Sequence, residues 1–174
     1  MKKLFALLLC LVMIFSMVGC ASDETEATEA PETEATTEAP ATAKGDEMSL
    51  TEILDGIYDG YTGELPDLVT TEITDAETFE FKTFTSYVDG YEAAISEPPM
   101  TSVAHCVVLV RVPEGADAEA VRADMEQNAD PQSKWLCVMP EKIVAVAHNN
   151  TIMLVMSTAD RTDAVVANFD ALWA

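Results

Sequence analysis

Four side chains in this sequence have the right chemistry for a reactive centre: His105, Cys106, Cys137 and His148. An imidazole beside a thiol is the pairing of a nucleophile with its base, and two His with two Cys are a donor set for zinc. The spacing argues against both readings. His105 and Cys106 adjoin in a Val-rich stretch with strand character, where neighbouring side chains point to opposite faces, so they form no dyad. Cys106 shares its face with Ala104, Val108 and Val110 and reads as a small core hydrophobe. No His or Cys stands at C-x-x-C or H-x-x-x-H spacing. Calcium suits the carboxylate density better than zinc, yet Asp55, Asp59 and Asp89 lack the alternating oxygen ligands of an EF-hand loop and read as solvated turn residues. Nucleophile-elbow, Walker-type and dinucleotide-binding segments are absent from the sequence. The expectation is therefore a protein that is not an enzyme, with no catalytic residues, no metal ligands and no cofactor.

The elements that would position these residues lie in the second two thirds of the chain. Ser49-Leu-Thr-Glu52 is a capping box, and Leu50, Ile53, Leu54, Ile57, Tyr58 and Tyr61 follow at helical spacing until Asp59-Gly60 and Gly63 end the helix. Residues 65–84 alternate too irregularly to choose between loop and short strand. Tyr91 to Ser96 and Thr101 to Val112 have strand character, with Pro98-Pro99 forcing a bend between them. Ala116 to Gln127 reads as a helix with Ala118, Val121 and Met125 on one stripe.

Residues 143–148 and 151–157 around Asn149-Asn150 give the strongest hairpin signal, in the register that sets Ala145 opposite Leu154 and Ile143 opposite Met156. Asp160 to Trp173 closes the chain as a helix. This order implies an α+β fold: an antiparallel or mixed sheet of about four strands with helices mainly on one face. The hairpin is apolar on both faces, since Val144, Val146, Met153 and Val155 lie opposite the core set. A second helical layer of the same chain, or a partner, must cover that side.

Upstream, the composition changes twice. Lys2 and Lys3 precede Leu4 to Val18, an apolar run of 15 residues, which is short for a spanning helix and has no basic stop-transfer cluster after it. Residues 1–19 read as a secretory signal. Residues 20–47 hold a Thr/Glu/Ala/Pro tether with nine acids, the single base Lys44 and no aromatic or large aliphatic side chain before Met48. Such a segment builds no core and works as a spacer, with O-glycosylation of its threonines a further reading.

Residues 48–174 form a single domain of 127 residues with 22 acids and 6 bases, a net charge of −16. The whole chain sets 31 acidic against 9 basic residues, a net charge of −22, which excludes nucleic acid as a partner. A two-lobed solute receptor normally needs about twice the domain's length.

The signal ends in Met17-Val18-Gly19-Cys20, which resembles the lipobox of bacterial lipoproteins; Met17 stands where Leu is commonest. The resemblance implies that Cys20 is lipidated, becomes the mature N-terminus and holds the chain in the membrane. The alternative is an ordinary secretory signal cleaved nearby. Pro99-Met100, the Val-rich strand, the Ala/Glu helix, Gln132 to Trp135, Met139-Pro140-Glu141 and the Ile152-to-Met156 strand together resemble the lipoprotein family known as domain of unknown function 4358, across roughly residues 85–172. Asn128 and Val138 depart from that pattern, and the family implies no activity.

The expectation for the whole is a lipid-anchored protein on the outer face of the cytoplasmic membrane of a Gram-positive cell, acting as a non-catalytic binding or assembly module. A small-ligand or cation-binding accessory of a transport or sensing system is the alternative. Its partner, protein or small ligand, is expected to be basic or apolar rather than anionic. Export also permits a disulfide between Cys106 and Cys137, the two cysteines left in the mature domain.

Overall fold

The structure, a computed structural model, describes residues 43–174. The signal and Cys20 lie outside the described residues. The chain runs through α1 (Lys44–Glu47), α2 (Leu50–Gly56), β1 (Val69–Ile73), α3 (Ala76–Thr83), β2 (Glu92–Glu97) and β3 (Cys106–Arg111). It continues through α4 (Ala118–Asn128), α5 (Pro131–Lys134), β4 (Lys142–His148), β5 (Thr151–Ser157) and α6 (Ala159–Ala171). The strands make one antiparallel sheet in the order β1-β2-β3-β5-β4. The α+β class stands, with five strands rather than about four.

The additional strand, β1, comes from the stretch the sequence left ambiguous. It is an edge strand: Val69, Thr71 and Glu72 are exposed, and only Ile73 is buried. Half of its hydrogen-bonding capacity and most of its side chains face water, so its sequence carries little apolar alternation. The hairpin falls in the expected register, with Ile143 opposite Met156 and Ala145 opposite Leu154. Asn149 takes the left-handed conformation at its turn, φ 50°.

Helices cover both faces of the sheet rather than mainly one. On the first face Val108, Val110, Ile152 and Leu154 pack against Phe79 of α3, Val121 and Met125 of α4, and Trp135. On the second, Val107, Leu109, Met153 and Val155 pack against Ile53, Leu54 and Ile57 of α2 and Val165 and Phe169 of α6. The physical reason is in the strands: all seven residues of β5 and five of the six in β3 are buried, so neither face can be left to solvent. The covering layer sought for Val144, Val146, Met153 and Val155 is thus the chain's own α2 and α6.

The ordered domain also begins earlier than residue 48. Arg111 donates from its guanidinium to the carbonyls of Met48 (2.9 Å) and Gly45 (3.1 Å), and from Nε to the Thr151 hydroxyl (3.0 Å). Trp173 and Asn149 both donate to the Asp46 carboxylate, each at 2.8 Å. The peptide thus enters at the pole of the sheet marked by Arg111 and the β4–β5 turn. The other pole, about 17 Å away along β3, is marked by Glu97, Cys106 and Ser157.

Candidate functional site

The residues that could do chemistry are separated by the fold. Cys106 faces the first core and is fully buried, and burial pushes its thiol up to about 11, away from reactive thiolate. Cys137 is exposed in the connection after α5, and both cysteines are free, so the disulfide that export permits is not formed in this structure. His148 is built into a packing cluster at the other pole, stacked on Trp173 and hydrogen-bonded to Asp170 at 2.8 Å. Asp55, Asp59 and Asp89 share no site. Among the described residues no three His, Cys, Asp or Glu side chains stand together as a metal site would require.

His105 points to the opposite side from Cys106, as the strand alternation requires, and lies inside a buried polar relay. Its Nε2 meets the Tyr58 hydroxyl at 2.9 Å and its Nδ1 the Ser157 hydroxyl at 2.9 Å. Arg161, an obligate donor, reaches Ser157 Oγ at 3.2 Å and the Glu64 carbonyl at 2.6 Å. Burial, and secondarily the charge of Arg161, lowers the imidazole to about 4, so it is neutral near neutral pH. Burial also raises the Tyr58 phenol above its ordinary value.

A neutral imidazole with both nitrogens engaged, beside a fully buried Ser157, offers neither a free base nor an accessible nucleophile. The relay is a structural tie between the turn after α2, the start of β3, the end of β5 and α6.

Two concavities lie at the two ends of α3. The larger, a groove of about 490 Å³ at the pole where the peptide enters, is bounded by the start of α2, the end of β1, the start of α3 and the start of β2. Three exposed acidic residues, Glu72, Asp75 and Glu92, and the aromatic residues Phe79, Tyr87 and Tyr91 line it, with Glu72 and Glu92 on the faces of their strands opposite to Ile73 and Ala93. Phe79 is the buried member of the aromatic set, edge-on to Tyr87 at 5.3 Å between ring centroids and tilted to Tyr91 at 6.2 Å. Asp75 doubles as the N-cap of α3, accepting from the Thr78 amide at 2.8 Å, and that bond holds its carboxyl below the usual range.

The smaller concavity, about 250 Å³, lies at the opposite pole and gathers Lys82, Glu97 and Lys134 with Phe81 and Met100. His105 forms part of its wall. Burial alone would raise the Glu97 carboxyl, but the hydrogen bond from Lys82 and the charge of Lys134 outweigh it and keep the group below the usual carboxylate range.

The sequence marked out none of the charged lining residues as a site, and of its candidate reactive residues only His105 borders a concavity. Glu97 is 15 positions from Lys82 and 37 from Lys134, and Glu72 is 20 from Glu92, so no local spacing joins them. The one sequence signal was indirect: Pro98-Pro99 pins the end of β2 and thereby fixes Glu97 at the rim. No protein-family model, curated protein or solved structure matches this chain.

Proposed function

We propose that this chain is a lipoprotein anchored through Cys20 to the outer face of the cytoplasmic membrane, where its domain serves as a non-catalytic module that binds a small cationic ligand. The lipobox-like Met17-to-Cys20 segment after its short apolar run supports the anchorage. One observation carries the binding reading: a ligand-sized groove lined by three exposed acidic residues and three aromatic ones. Carboxylates attract a cation at long range, and the faces of Tyr87 and Tyr91 hold it at short range. With no three-ligand metal cluster among the described residues, an organic cation such as an amine or a basic peptide end fits better than a metal ion.

The same structural facts count against assembly through the sheet, because α2, α3, α4 and α6 already cover its two faces. The small-ligand accessory is therefore preferred to the assembly module.

Calorimetric titration of the full chain with spermidine tests the reading. Saturable binding is expected, weakened about tenfold by combined Glu72→Gln and Glu92→Gln and weakened again by added salt. Spermidine binding that is absent, or indifferent to the double substitution, overturns it. The anchor is tested separately: Cys20→Ala is expected to release the chain from membranes or leave it unprocessed.

A further inference from the structure

At the pole remote from the entering peptide, the ends of α3 and β2 and the α5 segment enclose the cleft of about 250 Å³. Its charge is unlike that of the rest of the domain. Of the six basic residues after position 48, Arg111 and Arg161 are spent on main-chain carbonyls, Arg122 bridges Glu119 and Glu126, and Lys142 pairs with Asp163. Lys82 and Lys134 share a single carboxylate, Glu97, whose two oxygens they divide. This triad carries a formal charge of +1 inside a domain of −16.

Donor capacity is left over. An ammonium has three N–H groups, and the Lys82 side chain, 27 % exposed, spends one on Glu97. The Lys134 side chain is 6 % exposed and sits 5.8 Å from the centre of the Phe84 ring, so its charge is held in an environment that water screens poorly. Beside the triad the lining turns apolar. Phe81 is 56 % and Met100 69 % exposed, and Pro99 and the buried Trp135 also line the cleft.

We propose that this cleft is a second binding site, taking a small organic carboxylate whose acid group accepts from Lys82 and Lys134 while its apolar body lies over Phe81 and Met100. A single negative charge matches the residual +1, whereas a doubly charged phosphate would leave an excess negative charge in an acidic domain. The volume, equal to about eight waters of liquid, fits a small molecule rather than a protein segment. The site does not depend on the groove reading, because the two concavities lie at opposite poles and share no lining residue.

Tryptophan emission gives a local readout. Trp135 lines the cleft, and the only other tryptophan, Trp173, packs at the opposite pole against His148 and Phe169. The full chain in phosphatidylcholine nanodiscs is titrated with 3-phenylpropanoate and, separately, with its uncharged isostere 3-phenylpropanamide. The acid is expected to change the emission saturably, with the amide binding about tenfold more weakly, the difference expected for a lost charge-assisted hydrogen bond.

Lys82→Met is expected to weaken the acid about tenfold and leave the amide unchanged. Glu97→Gln, which frees both ammonium groups, is expected to tighten the acid. Equal binding of acid and amide, no saturable response to the acid at millimolar concentration, or an acid affinity untouched by Lys82→Met overturns the proposal. Should either variant fail to fold, the comparison of acid and amide on the unaltered chain decides.

Discussion

An imidazole buried between Tyr58 and Ser157 makes folding sensitive to pH at the scale of one residue. In the unfolded chain His105 takes up a proton as the pH falls through its ordinary value near 6.5, whereas in the folded chain it resists until about 4. Between these values the unfolded state binds more protons, so stability is full above the upper value and declines as the pH falls toward the lower one. The loss approaches about 3 kcal/mol, a large share of the stability of a domain this size. Carboxylates held low, such as Glu97 and Asp75, begin to add their losses as the pH falls through their ordinary values of 4.5 and 3.8, at the lower end of this range.

Urea midpoints are therefore expected to fall between pH 7 and pH 4.5, and His105→Gln should flatten that slope while lowering stability at pH 7. A slope that survives the substitution assigns it to other groups. None of this was legible locally. The sequence gives the separation of His105 from Cys106, because strand alternation is a rule between neighbours. The imidazole's partners stand 47 and 52 residues away and are set by tertiary packing.

Among the elements, the best-foretold were those whose signal is carried by their own residues. Ser49 and Glu52 form the capping box reciprocally, with the Ser49 amide donating to the Glu52 carboxylate at 2.8 Å and the Glu52 amide to Ser49 Oγ at 3.3 Å. The β4–β5 hairpin follows from its turn and its alternation. Elements stabilised mainly from outside were left open or missed. β1 exists because Ala93 and Ile95 of β2 offer it a ladder, and α1 because Arg111 and Trp173 hold it from 66 and 127 positions further along the sequence.

Gly45 shows the same dependence. Its amide donates to the Leu172 carbonyl at 2.9 Å, and a Cβ there would run into the Trp173 ring. The Arg111 fork engages three acceptors at once, and a lysine, a single ammonium without the planar fork, does not reproduce that geometry. Arg111→Lys is expected to destabilise the fold by about 1.5–3 kcal/mol and to open residues 43–48 to proteolysis before the rest. Mass mapping of limited digests checks this. A variant cleaved no faster than the parent in that segment would show that Trp173 and Asn149 suffice.

For the whole molecule the governing quantity is charge, and its distribution decides which partners are admitted. Residues 48–174 carry −16 and the tether −8, so an anionic polymer approaching from any direction meets repulsion over the first Debye length, about 8 Å at physiological ionic strength. The +1 triad at Lys82, Glu97 and Lys134 does not reverse this for a polymer. The cleft of about 250 Å³ admits one small ligand, and the chain of charges behind a polymer's first unit would lie against acidic surface. A basic ligand experiences the opposite field, attracted from afar and received at Glu72, Asp75 and Glu92.

Two salt dependences follow. Association with a basic ligand should slow as salt is raised, while capture of a small carboxylate at the remote pole should quicken, because screening removes the repulsion faced on approach. Teichoic-acid-type wall polymer, offered to the full chain without divalent cations, is expected not to bind. Sedimentation of the chain with purified wall fragments checks this, and tight, salt-insensitive retention would show that a surface other than the two concavities governs its contacts.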